Sequence, residues 1–376
     1  MSNIYVHYPY CKQACHYCNF HFSTATKYQN DVLSAFKVEL DLRKSELNTS
    51  LESIYFGGGS PSLIPPKQVE ELITHVYSQL NVDQIPEITL EMNPDDVSKS
   101  YLMDLKTAGI NRVSLGVQSF FESELKMMNR AHSAEQAMRS LEMITSSFDN
   151  FSVDLIYGMP YSSFKSWEQN IAALLAFQPP HISSYALTVE PKTALAYQVE
   201  KNKIILLEEE RVKDQYDHLV TRLEIEGYEN YEFSNFGKPG FHSINNSNYW
   251  NGKAYLGIGP SAHSYDGDAL RSWNVANNKK YLKAIAQQML PIERESLKKN
   301  DRYNEYIMTG LRTQWGVSLT KIEVDFGVQY VDYLEQQVEK HLKDNNMFWD
   351  GDYLKISKTA KFLSDGLAAD LFLIQR

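Results

Sequence analysis

Within residues 3–189, apolar runs of strand type alternate with stretches of helical period, and this alternation restricts the fold more than any other feature of the chain. The runs are "NIYVHY" (3–8), "SIYFGG" (53–58), "EITLEM" (87–92), "NRVSLGV" (111–117), "FSVDLIYG" (151–158) and "HISSYALTV" (181–189). Between the second and third, "PKQVEELITHVYSQL" sets Val69, Leu72, Ile73, Val76 and Leu80 at helix-like intervals behind Pro66 and Lys67. "SKSYLMDLKTAGI", "SAEQAMRSLEMITSSF" and "SFKSWEQNIAALLAF" fill the later gaps. Alternating β and α units imply a parallel sheet, and six of them predict an α/β fold built as a barrel or partial barrel of (β/α)6 type.

Beyond residue 200 the pattern changes twice. "LLEEERVKDQYDHLVTRLEIEGY" (206–228) reads as a longer charged helix with one apolar stripe, followed by "NYEFSNF". From about residue 296, "DRYNEYIMTGLRTQWG", "LTKIEVDFG" and "YVDYLEQQVEKHLKDNNMFWDGDYLKI" read as helices plus a short hairpin turning at Asp350-Gly351. We therefore expect the barrel and its following extension over 1–285 and a small, mostly helical domain of winged-helix outline over 296–376.

Composition narrows the partners. With 376 residues, 43% hydrophobic and 22% charged, the chain is an ordinary globular one with room for a large core. Its formal charge of -10 sets up no field to attract phosphates, which excludes nucleic acid as the expected partner. No run approaches the ~20 apolar residues that span a bilayer, and "MSNIYVHYPY" lacks the basic start and apolar run of a signal peptide. A cytoplasmic protein is expected.

All three cysteines, Cys11, Cys15 and Cys18, fall within "HYPYCKQACHYCNF" (7–20). Three thiols cannot all pair within one chain, and a disulfide would be odd in a reducing compartment. The spacing C-x3-C-x2-C lets three thiolates converge on one centre, and soft sulfur suits an iron–sulfur cluster or zinc. A zinc site would be completed by His7, His16 or His21. A set of merely buried small residues is the third reading.

In β/α barrels, functional groups gather on loops at the C-terminal ends of the strands, which open onto one face. The unusual residues fall there. The cysteine loop follows the first strand, "GGGSPS" (57–62) the second, and Glu91 with "NPDD" ends the third. "QSF" (118–120) ends the fourth, and Asp154 lies within the fifth. Gly57, Gly58 and Gly59 suit either a tight turn or a backbone that approaches a ligand closely. Asp154, between Val153 and Leu155, points opposite to them; in a barrel interior its charge needs a partner, either an internal salt bridge or a ligand's amino or hydroxyl group. Glu91 and Arg130 ("MMNRAH") would be surface residues if taken singly. Their conjunction on successive units suits a cluster with an adjoining polar ligand.

Together these motifs resemble the radical S-adenosylmethionine (SAM) proteins. More narrowly, "YVHYPYC", "YFGGGSPS", "RVSLGVQSF", "VDLIYGMP" and "YWNGKAYLGIGPSAHS" are similar to the oxygen-independent coproporphyrinogen III oxidase group, and within it to heme chaperones of the HemW type. The likeness covers nearly the whole chain. It implies that Cys11, Cys15 and Cys18 hold three irons of a [4Fe-4S] cluster and that SAM binds the fourth through its amino and carboxylate groups. It further implies SAM contacts for Tyr17 on the adenine side, for Gly58, Gly59 and Ser60, and for Glu91, Gln118, Arg130, Asp154 and Ala186, with Tyr5 near the cluster. In the superfamily the reduced cluster cleaves SAM to methionine and a 5′-deoxyadenosyl radical.

Two departures separate this chain from the oxidase: Phe20 stands where the oxidase has a further cysteine, and the first cysteine is already residue 11. Both point to a heme chaperone, with heme and heme-acceptor proteins as partners; peripheral contact with membrane-bound acceptors and a homodimer are compatible with it. The alternative is the oxidase activity itself, radical decarboxylation of coproporphyrinogen III. The chaperones usually carry a histidine in the position of Asn245, in "NNSNYW", and a carboxamide is a poor iron ligand. That puts heme ligation there in question and makes His242 and His263 the substitute ligands to examine, with Tyr249 and Trp250 as either core aromatics or a heme face.

Overall fold

The computed structural model describes residues 2–47 and 49–374. Its first half is the expected alternation: β1 (Ser2–Tyr8), α1 (Gln29–Arg43), β2 (Leu51–Gly58), α2 (Pro66–Gln79), β3 (Val82–Met92), α3 (Lys99–Thr107), β4 (Arg112–Gln118), α4 (Glu122–Met127), α5 (Ala134–Thr145), β5 (Phe151–Tyr157), α6 (Phe164–Leu175) and β6 (His181–Ala186). β1 to β6 are parallel and neighbour one another in chain order. Apolar side chains alternate outward, where Ile4, Ile54, Phe56, Leu90, Val113, Leu115 and Val153 are buried beneath the helices. Each helix answers with one stripe; α2 buries Val69, Leu72, Ile73 and Val76.

The sheet is wider than the sequence predicts. α7 (Ala194–Glu200) and α8 (Glu209–Ile225) lead into a hairpin of β7 (Glu229–Glu232) and β8 (Asn235–Gly237). Then come α9 (Ile244–Trp250), β9 (Ala254–Ile258), β10 (His263–Tyr265), β11 (Leu270–Asn274), α10 (Asn278–Ile285) and β12 (Ile292–Ser296). The order is β12-β11-β10-β9-β1-β2-β3-β4-β5-β6-β8-β7, so β9 adds in parallel to β1 before β10 to β12 continue antiparallel, and the β8–β7 hairpin adds antiparallel to β6. These flanks escape a reading by apolar period because their pairing is set by tertiary contact. β12, "IERES", has four exposed residues of five.

α1 is tied to the β9–β11 extension by a buried charge. Glu39 accepts from Arg43 Nη1 at 3.0 Å, Gly259 N at 2.8 Å, Asn274 Nδ2 at 2.7 Å and Tyr281 Oη at 2.7 Å. Arg43 also donates to the Gly257 carbonyl at 2.9 Å and Ser264 Oγ at 3.0 Å. At the other end of the barrel, α9 closes the N-terminal side of the strands. The carboxylate of Glu87, buried near the start of the parallel part of β3, accepts from Ser243 Oγ at 3.2 Å and from the amides of Ile244 and Asn245, both at 3.1 Å.

A second hydrophobic core, drawn from residues 303–371, packs α11 (Lys299–Leu311), α12 (Leu319–Phe326), α13 (Val328–Lys343) and α14 (Ser364–Ala369). A small sheet of β13 (Val317–Ser318), β14 (Met347–Asp350) and β15 (Tyr353–Ile356) completes it. The β14–β15 hairpin turns at Asp350-Gly351 as expected, with Gly351 at φ +60°. Among the described residues no helix is long and apolar enough to cross a membrane.

Arg43→Ala would leave the Glu39 carboxylate without its cation in a dry setting, at a cost of about 3–5 kcal/mol. A urea midpoint unchanged from the parent chain would contradict the anchoring role of this pair.

Candidate functional site

The inner face of the six strands is polar. Cross-strand registers align Tyr5, Tyr55, Thr89 and Arg112 in one row, and His7, Gly57, Glu91 and Ser114 in the next. Gly116, Asp154 and Ser183 follow toward β6. These residues alternate with the apolar ones facing the helices, so the sequence that packs the outside of the sheet also delivers polar groups to its lumen.

Two carboxylates stand out. Burial pushes Glu91 up to about 7 despite a hydrogen bond from Tyr55 Oη at 2.9 Å, and the nearby Asp154 raises it further. Burial likewise lifts Asp154 to about 6, although Ser114 Oγ donates at 3.2 Å. Among the described residues Asp154 has no ion pair, so its partner is a serine rather than an internal salt bridge. Two carboxylates that repel each other in a desolvated lumen are stabilised by any cationic group placed between them.

The cysteine loop sits above them at the C-terminal rim, held by backbone and amide contacts. Cys11 N donates to the Ser23 carbonyl at 3.1 Å, His16 N to Met128 at 3.0 Å, and Leu195 N to His16 at 2.8 Å. Gln13 Nε2 reaches Asn129 Oδ1 at 2.9 Å, and Asn129 Nδ2 returns to the Ala14 carbonyl at 2.7 Å. Lys12 meets Asp95 at 2.8 Å and also pairs with Asp96. "GGGSPS" supports the same loop. A Cβ at Gly58, where φ is +106°, would lie 2.7 Å from the His7 ring, and one at Gly59 would lie 2.6 Å from the Tyr10 carbonyl. The close approach is thus made by the chain's own backbone, with Gly59 N and Ser60 N donating to the Tyr8 and Tyr10 carbonyls at 2.8 and 2.7 Å.

Arg130 joins rim to lumen. Its Nη2 donates to Asn93 Oδ1 at 2.6 Å and to the Gly116 carbonyl at 2.8 Å. Nη1 lies 3.4 Å from Cys15 Sγ and 3.5 Å from Tyr17 Oη. Gln118, next to this carbonyl, ends β4 in the left-handed region at φ +67°. Tyr17 packs against Leu125, Met128, Ile156 and Met159. Burial pushes the Cys11 thiol up to about 11 and raises Cys18 as well.

None of the three thiols is in a disulfide, and three soft sulfur donors on one loop suit an iron–sulfur cluster with one open iron. Of the histidines considered for zinc, His7 has both ring nitrogens engaged, with Tyr5 Oη at 3.3 Å and the His21 carbonyl at 2.9 Å, whereas His16 (Nδ1 to Met127, 2.9 Å) and His21 (Nε2 to Asn278, 2.7 Å) are each held by one nitrogen only.

The structure therefore brings Tyr5, Tyr17, Gly58, Gly59, Ser60, Glu91, Gln118, Arg130 and Asp154 to the cysteine side, with Ala186 at the end of β6. Of the heme candidates it brings only His263 toward that end, where β10 starts just past the end of β9 and the His263 ring acts on His7. His242 stacks on Tyr231 (4.3 Å, 22°) and faces Glu229 at 3.0 Å, beside α9 on the N-terminal side. Asn245 accepts from Ser53 Oγ at 3.2 Å, and five residues of extended β2, roughly 16 Å, separate Ser53 from Gly58. Tyr249 and Trp250 meet edge to face at 5.4 Å, and Arg312 covers the Trp250 ring at 5.2 Å. His263 lies on β10, stacked on Trp273 at 5.9 Å. Gln13, Tyr55, Arg112 and Asn129 join this arrangement without having been singled out in the sequence, and Asn93 was marked only as part of "NPDD". For Tyr55 and Arg112 the signal was present, since each is an even number of residues from an inner-face glycine on its own strand.

Comparison with known proteins places this arrangement. Residues 5–174 match the Radical SAM superfamily, and residues 297–363 match the HemN C-terminal domain. The heme chaperone HemW of Lactococcus lactis (strain IL1403) is 31% identical over 93% of this chain and 91% of its own length. That of Bacillus subtilis (strain 168) is 32% identical over 92% of both. The chain belongs to the HemW family. Coproporphyrinogen III oxidase (HemN) from Escherichia coli shares the fold, with a TM-score of 0.85 over 99% of this chain and 90% of the oxidase at 21% identity. Membership of the radical SAM superfamily implies a [4Fe-4S] cluster and SAM for HemW proteins such as this one.

In the chain free of metal and SAM, Glu91 and Asp154 hold protons that the unfolded chain has released. They favour the folded state at low pH, and this contribution disappears as pH rises from roughly 4 through their values of about 6 and about 7. A Glu91→Gln, Asp154→Asn chain should lose less thermal stability over that window than the parent. Parallel profiles would contradict the desolvated carboxylate pair.

Proposed function

We propose that this protein is a cytoplasmic heme chaperone that carries a [4Fe-4S] cluster and SAM, binds heme and delivers it to acceptor proteins. The observation that carries the reading is identity near 30% to proteins named heme chaperone HemW over more than nine-tenths of both chains. Phe20, exposed on the cysteine loop where the oxidase group has a further cysteine, agrees with it.

In this reading Cys11, Cys15 and Cys18 hold three irons, and SAM completes the fourth. When bound, the pair supplies one-electron chemistry. Arg130 keeps its positive charge beside Cys15 and offsets thiolate charge, while its bonds to Asn93 and Gly116 fix the loop's height over the lumen. Glu91 and Asp154 receive the ligand's cationic or hydroxyl groups. The Gly57–Ser60 turn and Gln118 border it, with Tyr5, Tyr17 and Ala186 as the remaining contacts. The lumen's polar row of Tyr55, Arg112 and Ser114 excludes an apolar occupant.

Heme would have to be held outside this lumen. His242 lies by α9 on the N-terminal side and His263 beside His7 toward the cysteine end, so the two do not ligate one iron together in this conformation.

The test is anaerobic reconstitution with iron and sulfide, then heme titration followed by absorbance with and without SAM. Saturable, near-stoichiometric uptake is expected. Failure to bind heme in both redox states would sink the chaperone reading, and protoporphyrinogen formed from coproporphyrinogen III with SAM and reductant would establish the oxidase instead.

A further inference from the structure

Away from the barrel mouth, α1 and α10 flank a surface groove of about 580 Å³. That size falls within the ~300–1,000 Å³ of small-molecule sites. Its walls are apolar: Ala35 and Val38 from α1, Leu282 and Ile285 from α10, and Ala286 just after it. They are also fixed in place, because the buried Tyr281 hydroxyl of α10 donates to Glu39 of α1 at 2.7 Å. A groove held open in this way loses little freedom when it is filled.

The rim has the opposite charge to the molecule as a whole. Lys279 and Lys283 line it on α10, and Tyr28 and Asp31 on the α1 side. Lys27 stands beside them, its Nζ 5.3 Å from the centre of the Tyr28 ring. Two ammonium groups therefore line the groove against one carboxylate, with Lys27 close to its Tyr28 edge, on a chain of net charge -10. Among the described residues no ion pair engages Lys27, Lys279 or Lys283.

We infer that this groove binds a planar tetrapyrrole through its propionates, the ring lying against the apolar walls and the carboxylates at Lys279 and Lys283. A flat apolar face with two anionic groups at its edge is the shape and charge that the groove complements. The inference rests on the heme-chaperone reading and gives its cargo a place. The helix that bears it also adjoins the cysteine loop, since Asn278, which opens α10, meets His21 Nε2 at 2.7 Å, three residues after Cys18.

The test uses the full chain, reconstituted with iron and sulfide, and two probes: hemin and iron-free protoporphyrin. Lys279 and Lys283 are exposed, so the double variant Lys279→Glu, Lys283→Glu should fold like the parent, which circular dichroism checks. Val38→Trp, which fills the groove from an exposed position on its wall, is the second variant. Both probes should bind the parent, and the charge reversal should weaken both by about tenfold or more. Raising ionic strength should weaken the parent and leave the double variant little changed. Unaltered hemin affinity in both variants would refute the groove and leave the chaperone reading standing. Binding of hemin but not of protoporphyrin would refute it too, because iron ligation and not the groove would then hold the cargo. A parent chain that binds neither probe would defeat the chaperone reading first.

Discussion

The rest of the structure depends on a polar surface that the barrel cannot hide. Six parallel strands bury their apolar residues under helices, and strict alternation then forces Tyr5, Tyr55, Glu91, Arg112, Ser114 and Asp154 onto the inner face. A barrel that only needed stability would fill this space with branched aliphatics. Here the lumen holds carboxylates kept partly protonated by desolvation, a state that costs stability unless a cation or donor arrives. The site is thus prepared by the same alternation that builds the fold.

Above the lumen, the cysteine loop has little secondary structure of its own and is positioned from outside. Asn129, Met127 and Met128 hold it from the segment after α4, Asp95 and Asp96 from the turn after β3, and Leu195 from α7. Arg130 draws these supports together, because one guanidinium touches Asn93, Gly116, Tyr17 and Cys15. The fixed fork of arginine suits this role in a way that a lysine point charge would not. The loop's height and direction over the carboxylates are therefore properties of the scaffold, as a reactive site requires.

Much of this was legible in the sequence. The six β/α units, the rim position of the three cysteines, Glu91 and Asp154, and the C-terminal hairpin at Asp350-Gly351 followed from period, spacing and turn chemistry. The flanking strands did not, because "IERES" and "LRSWN" have no strong apolar pattern and pair only where the core edge offers partners. Glycine was ambiguous in kind: the sequence allowed a ligand or a turn at Gly58 and Gly59, and the close neighbour in the structure is the chain's own β1 tail. Most hidden was the separation of His242 from the cysteine rim, since helix α9 returns to the opposite end of the strands to cap Glu87. Nearness in sequence to a motif says nothing about which end of a barrel a residue reaches.

The central claim is that three thiols and a polar lumen together hold a cluster with SAM at its open iron. The most direct measurement is iron and sulfide content of the anaerobically reconstituted chain, combined with electron paramagnetic resonance of the reduced protein with and without SAM and a Cys15→Ser chain as the blank. The account predicts a cluster complement of iron and sulfide that the blank lacks, and a signal that changes when SAM is added. Zinc without sulfide, or a cluster signal indifferent to SAM, would contradict it.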